Sequence, residues 1–252
     1  MRLAVISDIH GNLAALDAVL ADLKAAGGAD KLWVLGDLCA FGPRPAECLA
    51  RLRDLKDAHI ISGNTDRYIV TAERPARRPK DEAEWAKMSD FLRIRDQYYF
   101  WATTKLTWAD HETLSKLGRE LDLDVPGYGG AIGYHGAPGS DERNMFPDTP
   151  DEEVLDQMYD REGRLAFGGH THYPMDRDLG LWRVINVGSV GLPFDEASAC
   201  YVIVTFVGGT AQVEFRRVPF DIDAVIDDLK ASGNPSWQWT ADLLKHDQGQ
   251  GS

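Results

Sequence analysis

The chain has 252 residues, 44% of them hydrophobic and 27% charged, with a formal net charge of -13. This length buries a sizeable core without disulfides, and the composition is that of an ordinary globular protein. The acidic balance excludes nonspecific binding to nucleic acid or anionic lipid, both of which are polyanions. Cys39, Cys48 and Cys200 show no C-x-x-C spacing, so neither a disulfide framework nor a thiolate metal site is expected. No apolar run approaches the ~20 residues of a membrane span. No signal-peptide pattern precedes the first strand, so a cytoplasmic location is the expectation.

Leu3 to Ile6 reads as a short buried strand. Leu13, Leu16, Leu20 and Leu23 then space an amphipathic helix that Gly27-Gly28 ends. Leu32 to Leu35 is a second strand, 46–55 a second helix, and Ala58 to Ser62 a third strand. This alternation predicts a parallel sheet with helices on its faces, an α/β fold whose ligands sit beyond the strands' carboxyl ends. Residues 75–118 break the pattern. They open on a Pro/Arg-rich patch, continue with Trp85, Phe91, Tyr98, Tyr99, Phe100, Trp101 and Trp108, and read as a helical cap insert. Strands resume at Leu121–Leu123 and Ala131–Tyr134. Thr149 is expected to cap a helix with Pro150 at its first position. Leu165–Phe167, Arg183–Val187, Cys200–Phe206 and Ala211–Arg216 follow as strands, the last two joined at Gly208-Gly209, a hairpin signal. Residues 221–231 read as a terminal helix. The expected organisation is a single domain over 1–240 and a flexible tail over 241–252.

Chemistry concentrates at the strand ends. Asp8-Ile9-His10, Gly36-Asp37, Gly63-Asn64, His135-Gly136 and Gly169-His170-Thr171-His172 supply seven oxygen or nitrogen donors: Asp8, His10, Asp37, Asn64, His135, His170 and His172. Seven are too many for one catalytic ion that must leave a position open for water. They suit two ions sharing the two oxygens of one carboxylate, with Asp37 as the bridge. Without thiolates, the set favours two divalent ions chosen from Mn, Fe, Co, Ni or Zn. The flanking glycines are expected to let the backbone turn sharply and leave room for an anion. His59, His111 and His246 read as structural or solvated.

In order and spacing, these five strings resemble the calcineurin-like metallophosphoesterase superfamily over roughly residues 1–215. Ile6-Ser7-Asp8-Ile9-His10-Gly11-Asn12 and Asn186-Val187-Gly188-Ser189-Val190-Gly191 resemble its small prokaryotic phosphodiesterase branch. The resemblance implies a four-layer αββα sandwich of two mixed sheets. It places Asp8, His10, Asp37 and His172 on one ion, and Asp37, Asn64, His135 and His170 on the other. It also implies in-line attack on phosphorus by a hydroxide bridging the ions, with Asp37, Asn64, His135 and His170 as catalytic residues. Where many members carry a His after Gly-Asn to protonate the leaving group, this chain has Thr65, which is no acid near pH 7. That favours phosphodiesters or nucleotide phosphoanhydrides, whose leaving groups need no proton donor, over a broad-specificity phosphomonoesterase. The string after Asp37 lacks the Asp-Arg-Gly of protein serine/threonine phosphatases, which demotes a phosphoprotein substrate. A non-catalytic protein-binding scaffold of the same fold is the remaining rival, but its members lose metal ligands that are all present here.

Arg44, Arg67 and Arg143 lie near motif loops and are candidates to clamp phosphate oxygens. Asp66 reads as a cap for the following helix. Cys39 reads as a small buried hydrophobe. The aromatic insert reads mainly as packing, against the sandwich or a second copy of the chain in a homo-oligomer, with one or two rings facing the metal cleft.

Overall fold

A computed structural model describes residues 1–74, 78–235 and 237–245, without the side chains at 90 and 91. Part of the basic patch (75–77), the Phe91 ring and the tail from His246 onward therefore lie outside the described residues. β1 (Arg2–Ile6), β2 (Lys31–Val34) and β3 (Ala58–Ile60) alternate with α1 (Leu13–Ala25) and α2 (Pro45–Arg53). α3 (Asn64–Thr71), α4 (Glu82–Lys105) and α5 (Trp108–Ser115) follow. The second half contains β4 (Glu120–Val125), β5 (Gly129–Tyr134), α6 (Asp151–Gln157), β6 (Leu165–Gly168), β7 (Met175–Asp178), β8 (Arg183–Asn186), β9 (Ala199–Val207) and β10 (Thr210–Val218). α7 (Ile222–Ala231) and α8 (Trp237–Lys245) end the described chain.

The strands form two five-stranded mixed sheets, ordered β10-β9-β1-β2-β3 and β4-β5-β6-β8-β7. β1, β2 and β3 are mutually parallel, and β9 closes on β1 antiparallel. In the second sheet β5, β6 and β8 are parallel. The period of two along each strand divides the core into layers. Leu3 and Val5 of β1 join Trp33, Leu35, Val202 and Val204 against Ala131, Leu165, Phe167 and Ile185 of the other sheet. Ala4 and Ile6 of the same strand face the opposite way, onto Leu16 and Val19 of α1 and Leu49 and Leu52 of α2. On the far side, Ile132, Ala166 and Val184 pack under Val154 and Met158 of the α6 region. Helices, sheet, sheet and helices thus form the four layers.

The structure departs from the sequence reading in particular places. The helical cap insert is continuous with the sandwich: Tyr99, Trp101, Ala102 and Leu114 sit in the same cluster as α1 and α2, so α4 and α5 extend the outer helical layer. Trp85, Phe100 and Trp108 remain exposed. β7 is an antiparallel edge strand whose sequence, Met-Asp-Arg-Asp, carries no apolar alternation to reveal it. α6 starts one residue late, with Pro150 at the cap and Thr149 Oγ1 accepting from Phe146 N. The expected flexible tail from 241 is helical to Lys245, because Ala241 and Leu244 close a cluster with Leu192, Val225 and Leu229.

Phe167 is fully buried between the sheets, edge-on to Trp33 at 6.1 Å. Phe167→Ala is expected to cost about 3–5 kcal/mol, read as a lowered urea midpoint with unchanged slope. A loss below about 1 kcal/mol would show that this layer does not hold the sheets together.

Candidate metal centre

The parallel strands all point their carboxyl ends to one edge, and there the backbone takes an uncommon form. Asp8 (φ 55), His10 (φ 50), Asp37 (φ 56), His170 (φ 68) and His172 (φ 63) all occupy the left-handed region. Asp and His tolerate this conformation better than branched residues, yet it is still costly. Five such residues at one edge mark a backbone held by its surroundings to aim side chains inward. The loops brace one another: His10 N donates to Asp37 O (2.8 Å), Gly11 N to Leu38 O (2.9 Å), Gly169 N to His135 O (2.8 Å) and Gly191 N to Asp8 O (2.9 Å).

All seven sequence-predicted donors meet at this edge. Asp8, His10 and His172 form one group and Asp37, His135 and His170 a second, with ligand atoms in each lying within 4.8 Å of one another. In the first, His172 Nε2 is 3.2 Å from Asp8 Oδ1 and 3.0 Å from His10 Nε2. In the second, His135 Nε2 is 3.4 Å from Asp37 Oδ1 and 3.0 Å from Asn64 Oδ1. Asp37 lies between them: Oδ1 faces His135 and Oδ2 is 3.7 Å from His10 Nε2. His135 Nδ1 bonds the Leu35 carbonyl (2.7 Å) and His172 Nδ1 the Leu192 carbonyl (2.6 Å). A carbonyl only accepts, so each Nδ1 carries a proton, and Nε2 is the nitrogen turned to the centre.

The electrostatics call for cations. Burial alone raises the Asp8 carboxyl, but His172 and His135 outweigh it and bring it down to about 2. Burial likewise opposes ionisation of Asp37, and His135 and His10 hold it well below the carboxylate range. Burial pulls His10 down to about 4 and also lowers His170, leaving their rings neutral at pH 7. Burial would also discharge His135, yet the Asp37 and Asp8 carboxylates raise it to about 10; the field of the site is strong enough to hold a positive charge there. Asp8 Oδ1 is buried with no hydrogen-bond partner. Ionised carboxylates, the neutral rings of His10 and His170, and an orphaned buried oxygen are donors suited to a divalent ion, which would take the place of the second proton on His135.

The glycines let the backbone turn and also let neighbouring loops touch. A Cβ on Gly36, itself at φ +91, would lie 2.2 Å from Gly63 N, and one on Gly169 would lie 2.4 Å from Asp8 Oδ2. Both mark places where loops of the site pass in direct contact. Gly169 permits His170 N to donate to Asp8 Oδ2 (2.9 Å), which ties the two sheets together at the centre. Two asparagines in the recognised strings prove to be braces. Asn12 caps α1 and donates to Gly191 O, and Asn186 donates to Gly169 O and Thr171 Oγ1. Asp66 accepts from Gly63 N and Leu38 N, fixing the start of α3. Thr65 N, in the first turn of α3, donates to Asp37 Oδ1 (2.9 Å). Cys39 is buried, and burial pushes its thiol well up, as fits an inert side chain.

The arginines are placed differently from expectation. Arg44 is bidentate to Asp228 of α7 and bonded to Glu47. Arg67 is bidentate to Asp141 and also bonds Glu142. Arg143 is exposed. None of the three lines the cavity that opens beside the cluster, a space of about 380 Å³ bounded by Asn64, His170, Phe41, Tyr98, Glu142 and Trp239, among others. Phe41, Glu142 and Trp239 went unread in the sequence. Phe41, four residues past Asp37, and Glu142, beside Arg143, stood close enough to a motif to be noticed.

Replacing Asp37 by Asn removes the charge between the groups, so Asp37→Asn is expected to weaken both ions together. Metal analysis should find the bound equivalents falling well below one, and retention of a single full equivalent would remove Asp37 from the bridging position. The Arg67–Asp141 pair makes a second prediction. Burial raises the Asp141 carboxyl and Arg67 more than offsets it, leaving it lowered. A lowered folded value means that stability is present above the unfolded value, ~3.9, and is lost as pH falls through the folded one. Asp141→Asn should therefore cost about 2 kcal/mol at neutral pH, with the gap from the parent closing below pH ~4. A gap constant with pH in urea titrations would exclude the ion pair as its source.

The chain matches the calcineurin-like phosphoesterase superfamily domain over residues 1–209. It is 29% identical over 255 residues to an uncharacterised protein of Methanocaldococcus jannaschii, covering 93% of this chain and 94% of that one. It is 30% identical over 105 residues to a symmetrical bis(5'-nucleosyl)-tetraphosphatase of Thioalkalivibrio sulfidiphilus, a match spanning 38% of this chain and 39% of that enzyme. Among solved structures, a metallophosphoesterase from Sphaerobacter thermophilus superposes with a TM-score of 0.74 at 26% identity, covering 97% and 98% of the two chains. A hypothetical protein from Pyrococcus horikoshii shares the fold, with a TM-score of 0.79 at 24% identity over 96% and 97%. The sheet order, the clustered donors and these likenesses together make the chain a member of the calcineurin-like phosphoesterase superfamily, a metallophosphoesterase.

Proposed function

We propose that this chain is a dinuclear metal-dependent phosphohydrolase that cleaves phosphodiester or nucleotide phosphoanhydride bonds. The observation carrying this reading is the position of Asp37, one carboxylate oxygen toward each donor group. Asp8, His10 and His172 would hold one ion, Asn64, His135 and His170 the other, and Asp37 both. Two such ions, when bound, lower the pKa of a water between them and neutralise phosphate oxygens.

The chain's own residues supply orientation and limits. The carbonyls of Leu35 and Leu192 fix the His135 and His172 rings. The first turn of α3 turns a backbone N–H on Asp37, where the positive end of the helix favours a carboxylate. His170, partly exposed and neutral at pH 7, lines the cavity with Asn64, so both meet an incoming phosphate. Thr65 is not a lining residue; its hydroxyl is buried without a partner. Burial, with the Glu142 carboxylate beside it, raises the nearby Tyr68 phenol well above its ordinary value, which makes it a poor acid at neutral pH. A leaving group already stable as an anion, such as a nucleoside phosphate or an aryl oxide, suits a site of this kind better than an alkoxide. The partial likeness to tetraphosphatases supports the same substrate class. The metals are drawn from Mn, Fe, Co, Ni and Zn.

The test is hydrolysis of an aryl phosphodiester, an aryl phosphomonoester and a dinucleoside polyphosphate with Mn²⁺, then with excess chelator. Metal-dependent turnover of the diester or the polyphosphate, exceeding that of the monoester, is expected. Preference for the monoester would favour the phosphomonoesterase alternative, and no turnover of any of the three would leave the binding-scaffold reading.

A further inference from the structure

The cavity beside the cluster is more than an approach for water. We propose that it is a nucleobase subsite, in which Trp239 supplies a face and Phe41 an edge to the planar ring, and Glu142 accepts from the ring's N–H groups. This deepens the phosphohydrolase reading and rests on it only for where the phosphate lies.

Four observations carry the assignment. The cavity is continuous with the centre, since Asn64 and His170 line both. Its volume, about 380 Å³, lies at the small end of sites that enclose a whole small molecule. Phosphate with an alkyl substituent would leave much of it unfilled, and one nucleoside unit suits it.

The walls come from distant parts of the chain. Phe41 sits 5.1 Å from Tyr98, 5.2 Å from Trp239 and 5.2 Å from the His10 ring. It is held at φ 77, a conformation rarely accepted by a bulky aromatic residue and one that collects at functional sites. Tyr98 and Tyr99 are buried at 1% and 3% exposure and form the back wall. Phe41 and Trp239 keep part of their surface free. Trp239 belongs to none of the apolar core clusters of the described residues.

Polar groups then set the orientation. Glu142 is fixed at the wall by the Tyr68 hydroxyl (2.8 Å) and by Arg67, and its carboxylate accepts from ring N–H groups. Arg95 also lines the cavity, so this wall carries both signs of charge. The metal donors at the Asn64 and His170 end place the phosphate there and leave the base to the aromatic end. Aromatic faces stack on any base, so the subsite would distinguish nucleosides from sugars more sharply than one base from another.

The experiment titrates adenosine, and separately ribose, into the Mn²⁺-loaded protein by calorimetry; neither carries a phosphate to hydrolyse. Adenosine is expected to bind at least about tenfold tighter than ribose. Trp239→Ala should lower the adenosine affinity by about tenfold, and Trp239→Phe should restore most of it. Equal binding of adenosine and ribose by the parent protein overturns the subsite whatever the variants do, and so does a Trp239→Ala protein with unchanged adenosine affinity. The two readings separate cleanly. Metal-dependent hydrolysis of bis(4-nitrophenyl) phosphate without adenosine binding leaves the enzyme and removes the subsite. Selective adenosine binding without turnover of any ester does the reverse.

Discussion

Two carboxylates, Asp8 and Asp37, are buried almost completely in one cluster, and the rest of the structure answers to that constraint. Each ionised group taken from water costs several kcal/mol unless it is paired and hydrogen-bonded. The chain provides backbone donors from His170 N and Thr65 N and surrounds the pair with four imidazoles. It also accepts five left-handed residues to aim those groups. A flexible edge could not hold such a backbone. It rests on two sheets whose inner faces interlock through Trp33, Phe167, Val202 and Ile185, and it is drawn together where Gly169 lets one sheet's loop press on the other's Asp8.

The same economy explains the arginines. With 40 acidic residues against 27 basic ones, an arginine near a loop rarely lacks a carboxylate. Arg44 fastens α2 to α7, and Arg67 fastens α3 to the 141–142 loop. Proximity in sequence to a ligand is no guide to direction: helical periodicity turned Asn64 and Tyr68 toward the cavity and Arg67 toward Asp141. Arg44 and Arg67 thus serve structure, and among the described residues the arginine that lines the cavity is Arg95 of α4.

Specificity has a different origin. The aromatic wall combines Phe41 after β2, the tyrosines in the middle of α4, and Trp239 on α8. The aromatic insert is mostly outer-layer packing, and among its described residues one stretch, around Tyr98 and Tyr99, reaches the cleft. Trp239, which is only partly buried, lies in a segment that composition had assigned to the neighbourhood of a frayed end.

By itself the sequence determined the set of clustered donors and most of the frame. Strand-end donors were legible because each motif is local: an apolar run ends, the backbone turns, and Asp, Asn or His follows at fixed spacing. The apolar runs of β1, β2, β6 and β9 were equally local, and so was the Gly208-Gly209 turn, with both residues at positive φ. Only the tertiary structure decided which donors share a group, since Asp8 meets His172 across 164 positions. It also decided that the glycines serve loop-to-loop contact, that polar β7 is a strand by virtue of β8 beside it, and that Phe41 and Trp239 stand together. These are contacts between segments far apart in the chain, and no local pattern encodes them, because each depends on two sheets and a terminal helix having already packed.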